Sequence, residues 1–193
     1  MLLSEESYRK IDRELEKFPP TKKRSAAIAA LTVAQDEKGW LSPDVIKEVA
    51  NYLGLPAIAV GEVASFYSMF NTSPVGKYKI AVCSNLPCEM TGSDQAAAYL
   101  RQKLGIEFGE TTPDGLFTLV ASECMGACGD GPVIMVNNKN MHMRMTNDKI
   151  DRLLDPRGKK GVTGEYRGGT EGNNDLPAWP SCRTSAFQGT DGR

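Results

Sequence analysis

The sequence predicts a mixed α/β chain in three parts: a four-helix bundle over residues 1–75, a mixed β-sheet domain with flanking helices over 76–155, and a Gly/Pro-rich tail over 156–193. Three observations carry this reading. Apolar residues recur at helical spacing through the first seventy residues, the period shortens to that of strands past Gly76, and aliphatic residues become scarce after Asp155.

The helices are read from their caps and stripes. Ser4 is a cap for a helix carrying Tyr8, Ile11, Leu15 and Phe18, which Pro19-Pro20 stops. A second helix carries Ile28, Leu31 and Ala34 and ends near Gly39. Ser42-Pro43 starts a third, with Val45, Ile46, Val49 and Leu53 before Gly54. The fourth follows Pro56, with Val60, Val63, Tyr67 and Phe70 on one face. Each is too short to stand alone in water, so they must pack together.

Tyr78, Ile80 and Val82 alternate as in a strand, and the loop Cys83–Gly92 follows. A helix with Ala97, Leu100 and Leu104 closes at Gly105, and Thr112-Pro113-Asp114-Gly115 is turn chemistry. Phe117–Ala121 and Val133–Val136 read as strands; Asn137-Asn138 turns the chain into an alternating strand over Met141–Met145. Thr146 caps a last helix with Ile150, Leu153 and Leu154. The order β-α-β-β-α implies a mixed sheet covered by helices. The 38 residues from Pro156 hold eight glycines and three prolines, a composition that reads as disordered when alone. Trp179 and Phe187 are its apolar anchors, which could order on a partner.

Composition narrows the function. The 23 basic and 24 acidic residues nearly cancel, which argues against nucleic acid as an electrostatic partner. The longest apolar run, Ala26–Leu31, is far short of the roughly 20 residues that span a bilayer. The N-terminus lacks a signal-peptide core and is too acidic for a transit peptide. The expectation is a cytoplasmic protein without direct membrane insertion, in which cysteines serve metal or redox chemistry rather than structural disulfides. No dinucleotide fingerprint and no phosphate loop is present.

Cys83 and Cys88 stand in C-S-N-L-P-C, and Cys124 and Cys128 in C-M-G-A-C, 35 residues apart. Both pairs follow predicted strands, and two strand ends of one sheet can bring four thiolates to one centre. Gly126, Gly129 and Gly131 would let backbone amides approach sulfur. A 2Fe–2S cluster needs four cysteines, two for each iron. A structural zinc ion needs the same four, and its usual spacing includes these pairs. Two disulfides or unconnected core cysteines are the plainer alternatives, and a thioredoxin-type dithiol fits poorly because Cys83 and Cys88 have four residues between them.

The context V-A-S-E-C-M-G-A-C-G-D-G-P-V-I-M-V-N-N, with C-x4-C upstream, resembles the thioredoxin-like 2Fe–2S ferredoxin family. The segments A-S-F-Y-S-M-F, P-V-G-K-Y-K-I-A-V-C and T-P-D-G-L-F-T-L-V match as well, and the resemblance spans roughly residues 5–155. It is strongest to the family's branch in the NADH-dehydrogenase module of respiratory complex I, since free-standing ferredoxins of this fold lack the helical N-terminus. The resemblance implies a thioredoxin-like sheet domain. It makes Cys83, Cys88, Cys124 and Cys128 the ligands of one 2Fe–2S cluster. It further implies electron transfer within NADH:quinone oxidoreductase, with no independent activity. FMN and NADH would be bound by a flavoprotein partner subunit, and the cluster would exchange one electron with that flavin. The complex would hold the chain at the cytoplasmic side of the inner membrane. The equivalent subunit of a NAD-linked hydrogenase or formate dehydrogenase is the nearest alternative, and a zinc-stabilised scaffold protein the alternative of another class.

The remaining features have plainer readings. Met141, Met143 and Met145 read as core packing, and His142, the single histidine, as a solvent-facing strand residue. Phe66, Tyr67 and Phe70 read as core between bundle and sheet, Lys22-Lys23-Arg24 as a solvated helix start, and Cys182 as a free thiol of the tail.

Overall fold

The computed structural model describes residues 2–155. The tail, with Trp179, Cys182 and Phe187, lies outside the described residues. Four α-helices come first: α1 (Glu5–Leu15), α2 (Ala27–Lys38), α3 (Pro43–Leu53) and α4 (Ala57–Phe66). The Ser4 hydroxyl accepts the Ser7 amide at 3.3 Å, and Glu5 and Glu6 place negative charge at the positive end of α1. The helix ends at Leu15 rather than running to Phe18, because Pro19-Pro20 disfavours helical backbone before it and opens a 3-10 helix, Pro20–Ala26. Lys22, Lys23 and Arg24 lie exposed on that 3-10 helix. Ser42 caps α3 at Val45 as expected, and Gly54 closes it in the left-handed region at φ 68°. Ile11, Leu31, Leu41, Val49, Leu53 and Val60 are buried in one shared core.

The sheet follows, with β1 (Tyr78–Cys83), β2 (Phe117–Ser122), β3 (Ile134–Val136) and β4 (Asn140–His142) in the order β2-β1-β3-β4. β1 and β2 are parallel, with Tyr78 opposite Phe117 and Cys83 opposite Ser122. β3 runs antiparallel to both β1 and β4. The parallel pair is linked through the one-turn helix α5 (Leu86–Glu89) and the longer α6 (Ser93–Leu104). α7 (Asn147–Leu154) follows β4, with Thr146 capping Lys149. One face of the sheet (Ile80, Val82, Leu119, Ile134, Val136) is buried with Ala96, Leu100, Ile150 and Leu153 of the two helices. This is the mixed α/β architecture and the β-α-β-β-α order that the sequence predicts, with α5 added in what reads as a loop.

Three local expectations need correction. The last strand stops at His142: Arg144 adopts φ 52°, its amide bonds the Asp130 carbonyl, and its guanidinium pairs with the Asp130 carboxylate at 2.8 Å, which pulls the chain off the ladder. The three methionines therefore do not share one strand face; Met145 is buried and Met143 exposed. His142 is not solvent-facing, because its Nε2 is buried, has no hydrogen-bond partner among the described residues, and burial holds the imidazole below its ordinary pKa. Of the three aromatics, only Phe70 is buried; Phe66 is 80% exposed at the end of α4, stacked edge-on against Tyr67.

The helical segment is tied to the sheet at one place. Asn138 donates to the Met69 carbonyl at 2.7 Å, Lys79 Nζ donates to Asn71 Oδ1 at 2.7 Å, and Lys139 pairs with Asp36 at 2.7 Å. Asn137 and Asn138, both at positive φ, form the tight β3–β4 turn that presents these groups. All of these ties involve the start of β1 or the β3–β4 turn beside it, the end of β1 away from Cys83.

Glu37 fixes the start of α1. Its carboxylate accepts from the Ser7 hydroxyl at 2.6 Å and from the Ser4 amide, and with the Lys38 ammonium these bonds hold its pKa down at about 2 from an ordinary 4.5. A lowered folded-state pKa contributes stability that is present above 4.5 and lost as pH falls towards 2. Urea unfolding monitored by helical circular dichroism should therefore show a falling midpoint across that window, and Glu37→Gln should flatten the dependence. An unchanged pH profile in the variant would remove Glu37 from this role.

Candidate metal centre

Because β1 and β2 are adjacent and parallel, their C-terminal ends lie side by side, and the four paired cysteines gather there. Cys83 is the last residue of β1, and Cys88 sits in α5. Cys124 follows β2 by two residues, and Cys128 opens a 3-10 helix, Cys128–Asp130. Cys83 and Cys88 are buried, and the Cys83 thiol acts on that of Cys88; Cys124 and Cys128 are exposed, with Sγ atoms 3.5 Å apart. The pairs face each other closely enough for charge on Cys128 to act on Cys88, and charge on Cys83 on Cys128. All four are free thiols.

The surroundings set the sulfurs apart. Burial pushes the Cys88 thiol up, with Cys83 adding to it, whereas the Val133 amide favours its thiolate. The Gly126 amide donates to Cys124 Sγ at 3.4 Å and is the main cause of that thiol's lowered pKa. Gly126 stands at φ 78°, a conformation that costs a side-chain-bearing residue and that aims the amide back at sulfur. Cys128 is pushed up by its neighbour Cys124. Val133 is fully buried against Cys83 and Cys88, with Met125, Ala127 and Met141 around them. The result is an apolar pocket with inward-pointing amides, which suits a sulfur-rich anionic group.

Residues not singled out in the sequence hold this arrangement. Ser93 donates to the Cys83 carbonyl, and Thr91 to the Cys88 carbonyl at 2.8 Å, so the residues after α5 clamp both members of the first pair. Cys83 N donates to the Val133 carbonyl and Ser84 N to the Ser122 carbonyl, binding the loops together. Asn85 followed by Pro87 is the sequence signal that α5 starts here. Gly131 lets the second loop lie against α5: a Cβ there would stand 3.4 Å from Cys88 Cα and collide with Thr91 Oγ1.

A sequence profile of the thioredoxin-like 2Fe–2S ferredoxins matches residues 11–157. The chain belongs to that family. The NADH-quinone oxidoreductase of Rickettsia conorii has a subunit that is 44% identical over 142 residues, covering 73% of this chain and 84% of that protein. The NADH-quinone oxidoreductase of Thermus thermophilus has one that is 39% identical over 144 residues, covering 75% and 80%. The fold is shared with a solved NAD+-reducing NiFe-hydrogenase in the air-oxidised state, at TM-score 0.56 and 22% identity. That match covers 64% of this chain but spans only 22% of the hydrogenase chain. As a member of the family, the chain carries one 2Fe–2S cluster, and the donor set at the ends of β1 and β2 fits such a group. Among the described residues, no helix is long and apolar enough to cross a membrane.

Gly131→Ala should disturb the centre through overpacking, at a cost of about 1–3 kcal/mol, seen as a lower melting temperature and incomplete iron loading. Gly129→Ala, where an added Cβ meets nothing within 4 Å, is the matched control and should behave like the parent chain. Equal loss in both variants would show that the close approach at Gly131 is not what matters.

Proposed function

We propose that this chain is the electron-transfer subunit of an NADH:quinone oxidoreductase, holding its 2Fe–2S cluster on Cys83, Cys88, Cys124 and Cys128. The observation that carries the proposal is the gathering of these four thiols, as two facing pairs, at the ends of two parallel strands. The thioredoxin-like 2Fe–2S ferredoxin profile spans all four of these cysteines. Two pairs suit two irons, and this favours the cluster over a structural zinc ion. When bound, the cluster supplies one-electron redox chemistry. The chain's own residues fix its position, exclude water on the Cys83–Cys88 side, and direct amides at the sulfurs.

In this reading the NADH site and the FMN belong to a flavoprotein partner subunit, and the complex holds the chain at the cytoplasmic face of the membrane. Identities of 39–44% to quinone oxidoreductase subunits support this over the hydrogenase reading, whose support is a shared fold at 22% identity. The domain limits proposed are 1–75 and 76–155, with 156–193 as tail. The four N-terminal helices act as a docking bundle. α4 supports this role, since one charge, Glu62, interrupts its apolar sequence and Ile58 and Phe66 lie exposed on it.

Anaerobically purified protein should contain two irons and two sulfides per chain. Replacing any of the four cysteines by Ser should abolish or severely weaken the visible cluster spectrum, whereas Cys182→Ser should leave it intact. Stoichiometric zinc without iron, in protein from a host competent in cluster assembly, would defeat the proposal.

The isolated cluster-loaded chain should not oxidise NADH, and activity should appear on adding the flavoprotein. Turnover by the chain alone would place a nucleotide site within it.

A further inference from the structure

The helical segment meets the sheet at the wrong end to bring an electron partner to the cysteines. Its ties, Asn138 to Met69, Lys79 to Asn71 and Lys139 to Asp36, lie at the start of β1. Cys83 is at the other end of that six-residue strand, about 16 Å away. Electron transfer slows steeply with distance, so a partner held only at the helices would leave the cluster remote. Something beside the cysteines must also be grasped.

α5 offers such a handle. Cys88 faces inward from this one-turn helix and is buried. Leu86 and Met90, four residues apart and joined by the Met90 N to Leu86 O bond of 2.9 Å, form one face and are 66% and 80% exposed. Large apolar side chains standing this far into water, next to a buried functional thiol, mark an interaction surface. Glu89, between them, and Glu123, beside Cys124, are both exposed, and neither is in an ion pair among the described residues. The Glu123 charge acts on Cys124. The surface is thus an apolar pair edged with acid.

We propose that Leu86 and Met90 on α5 form the second docking point for the flavoprotein partner, received in an apolar pocket edged by lysine or arginine. The inference rests on the function proposed above and adds where the partner touches the chain. Apolar anchors contribute affinity at the centre of such a contact, while Glu89 and Glu123 steer encounter and select a basic rim. The helices fix the partner to the chain; α5 fixes it beside the cluster.

The test uses the full-length, cluster-loaded chain and the purified flavoprotein subunit. Leu86→Ser/Met90→Ser should keep the cluster's visible circular dichroism and the melting temperature, since both side chains already lie in water. It should weaken association at least tenfold by titration calorimetry, and slow NADH-driven cluster reduction through the flavoprotein. Glu89→Lys/Glu123→Lys should lower the association rate at low salt and abolish its fall with added salt. Association and reduction at the parent rate in the apolar double variant would overturn the proposal. So would a parent chain that is a dimer by sedimentation and becomes monomeric in that variant with flavoprotein binding unchanged, since the occupant would then be a second copy. Failure of the parent chain itself to bind the flavoprotein would instead overturn the underlying functional reading.

Discussion

The parallel pairing of β1 with β2 is the constraint on which the rest depends. Cys83 stands opposite Ser122, so the two loops carrying the cysteine pairs leave the sheet at the same end of the strands and in the same direction. An antiparallel pairing of the same strands would send the loops to opposite ends. The parallel arrangement requires a crossover, and α5 and α6 supply it. The first pair is therefore made within the crossover itself, which explains why Cys88 is held by a helix, with Thr91 bonding its carbonyl and Ser93 that of Cys83, rather than left on an open loop. Loops beyond the carboxyl ends of strands are a common place for ligands because the sheet holds their roots rigid while their tips vary.

The second constraint is the unequal solvation of the two pairs. Cys83 and Cys88 lie behind Val133 in an apolar pocket, whereas Cys124 and Cys128 are exposed and Cys124 accepts the Gly126 amide. The backbone can come this close because Gly126 takes a left-handed conformation and Gly131 has no Cβ to strike Thr91. Amide donors and burial are the levers by which a protein sets the potential of an iron–sulfur group. In this chain the Gly126 amide supplies the first and Val133, Met125, Ala127 and Met141 the second, while the Glu123 charge acts on Cys124.

The helical segment and the sheet hold separate buried cores and meet through a few polar contacts at the β3–β4 turn. These ties are polar, and the buried apolar residues of the two parts form separate clusters, so each part keeps its own packing. The ties lie at the end of β1 away from Cys83, and α5, which carries Cys88, turns Leu86 and Met90 outward.

Much of this was legible in the sequence. Caps such as Ser4, Ser42 and Thr146 act locally, and the structure uses all three as read. Alternation at Tyr78, Ile80 and Val82 identified β1, and the cysteine spacing with its glycines identified the candidate ligands, because spacing and period are properties of the chain itself. Other features needed the tertiary structure. That β1 pairs with β2 in parallel follows from the crossover's packing, not from either strand alone. The early end of β4 depends on Asp130 reaching Arg144, fourteen residues away. His142 reads as exposed by alternation, yet its Nε2 is buried. Phe66 reads as core by its chemistry, yet it lies on the outside of α4. The sequence by itself determined which residues are the candidate ligands and which local elements hold them. Only the tertiary structure decided how those elements pair and which apolar side chains stay in water, because both depend on contacts between segments far apart along the chain.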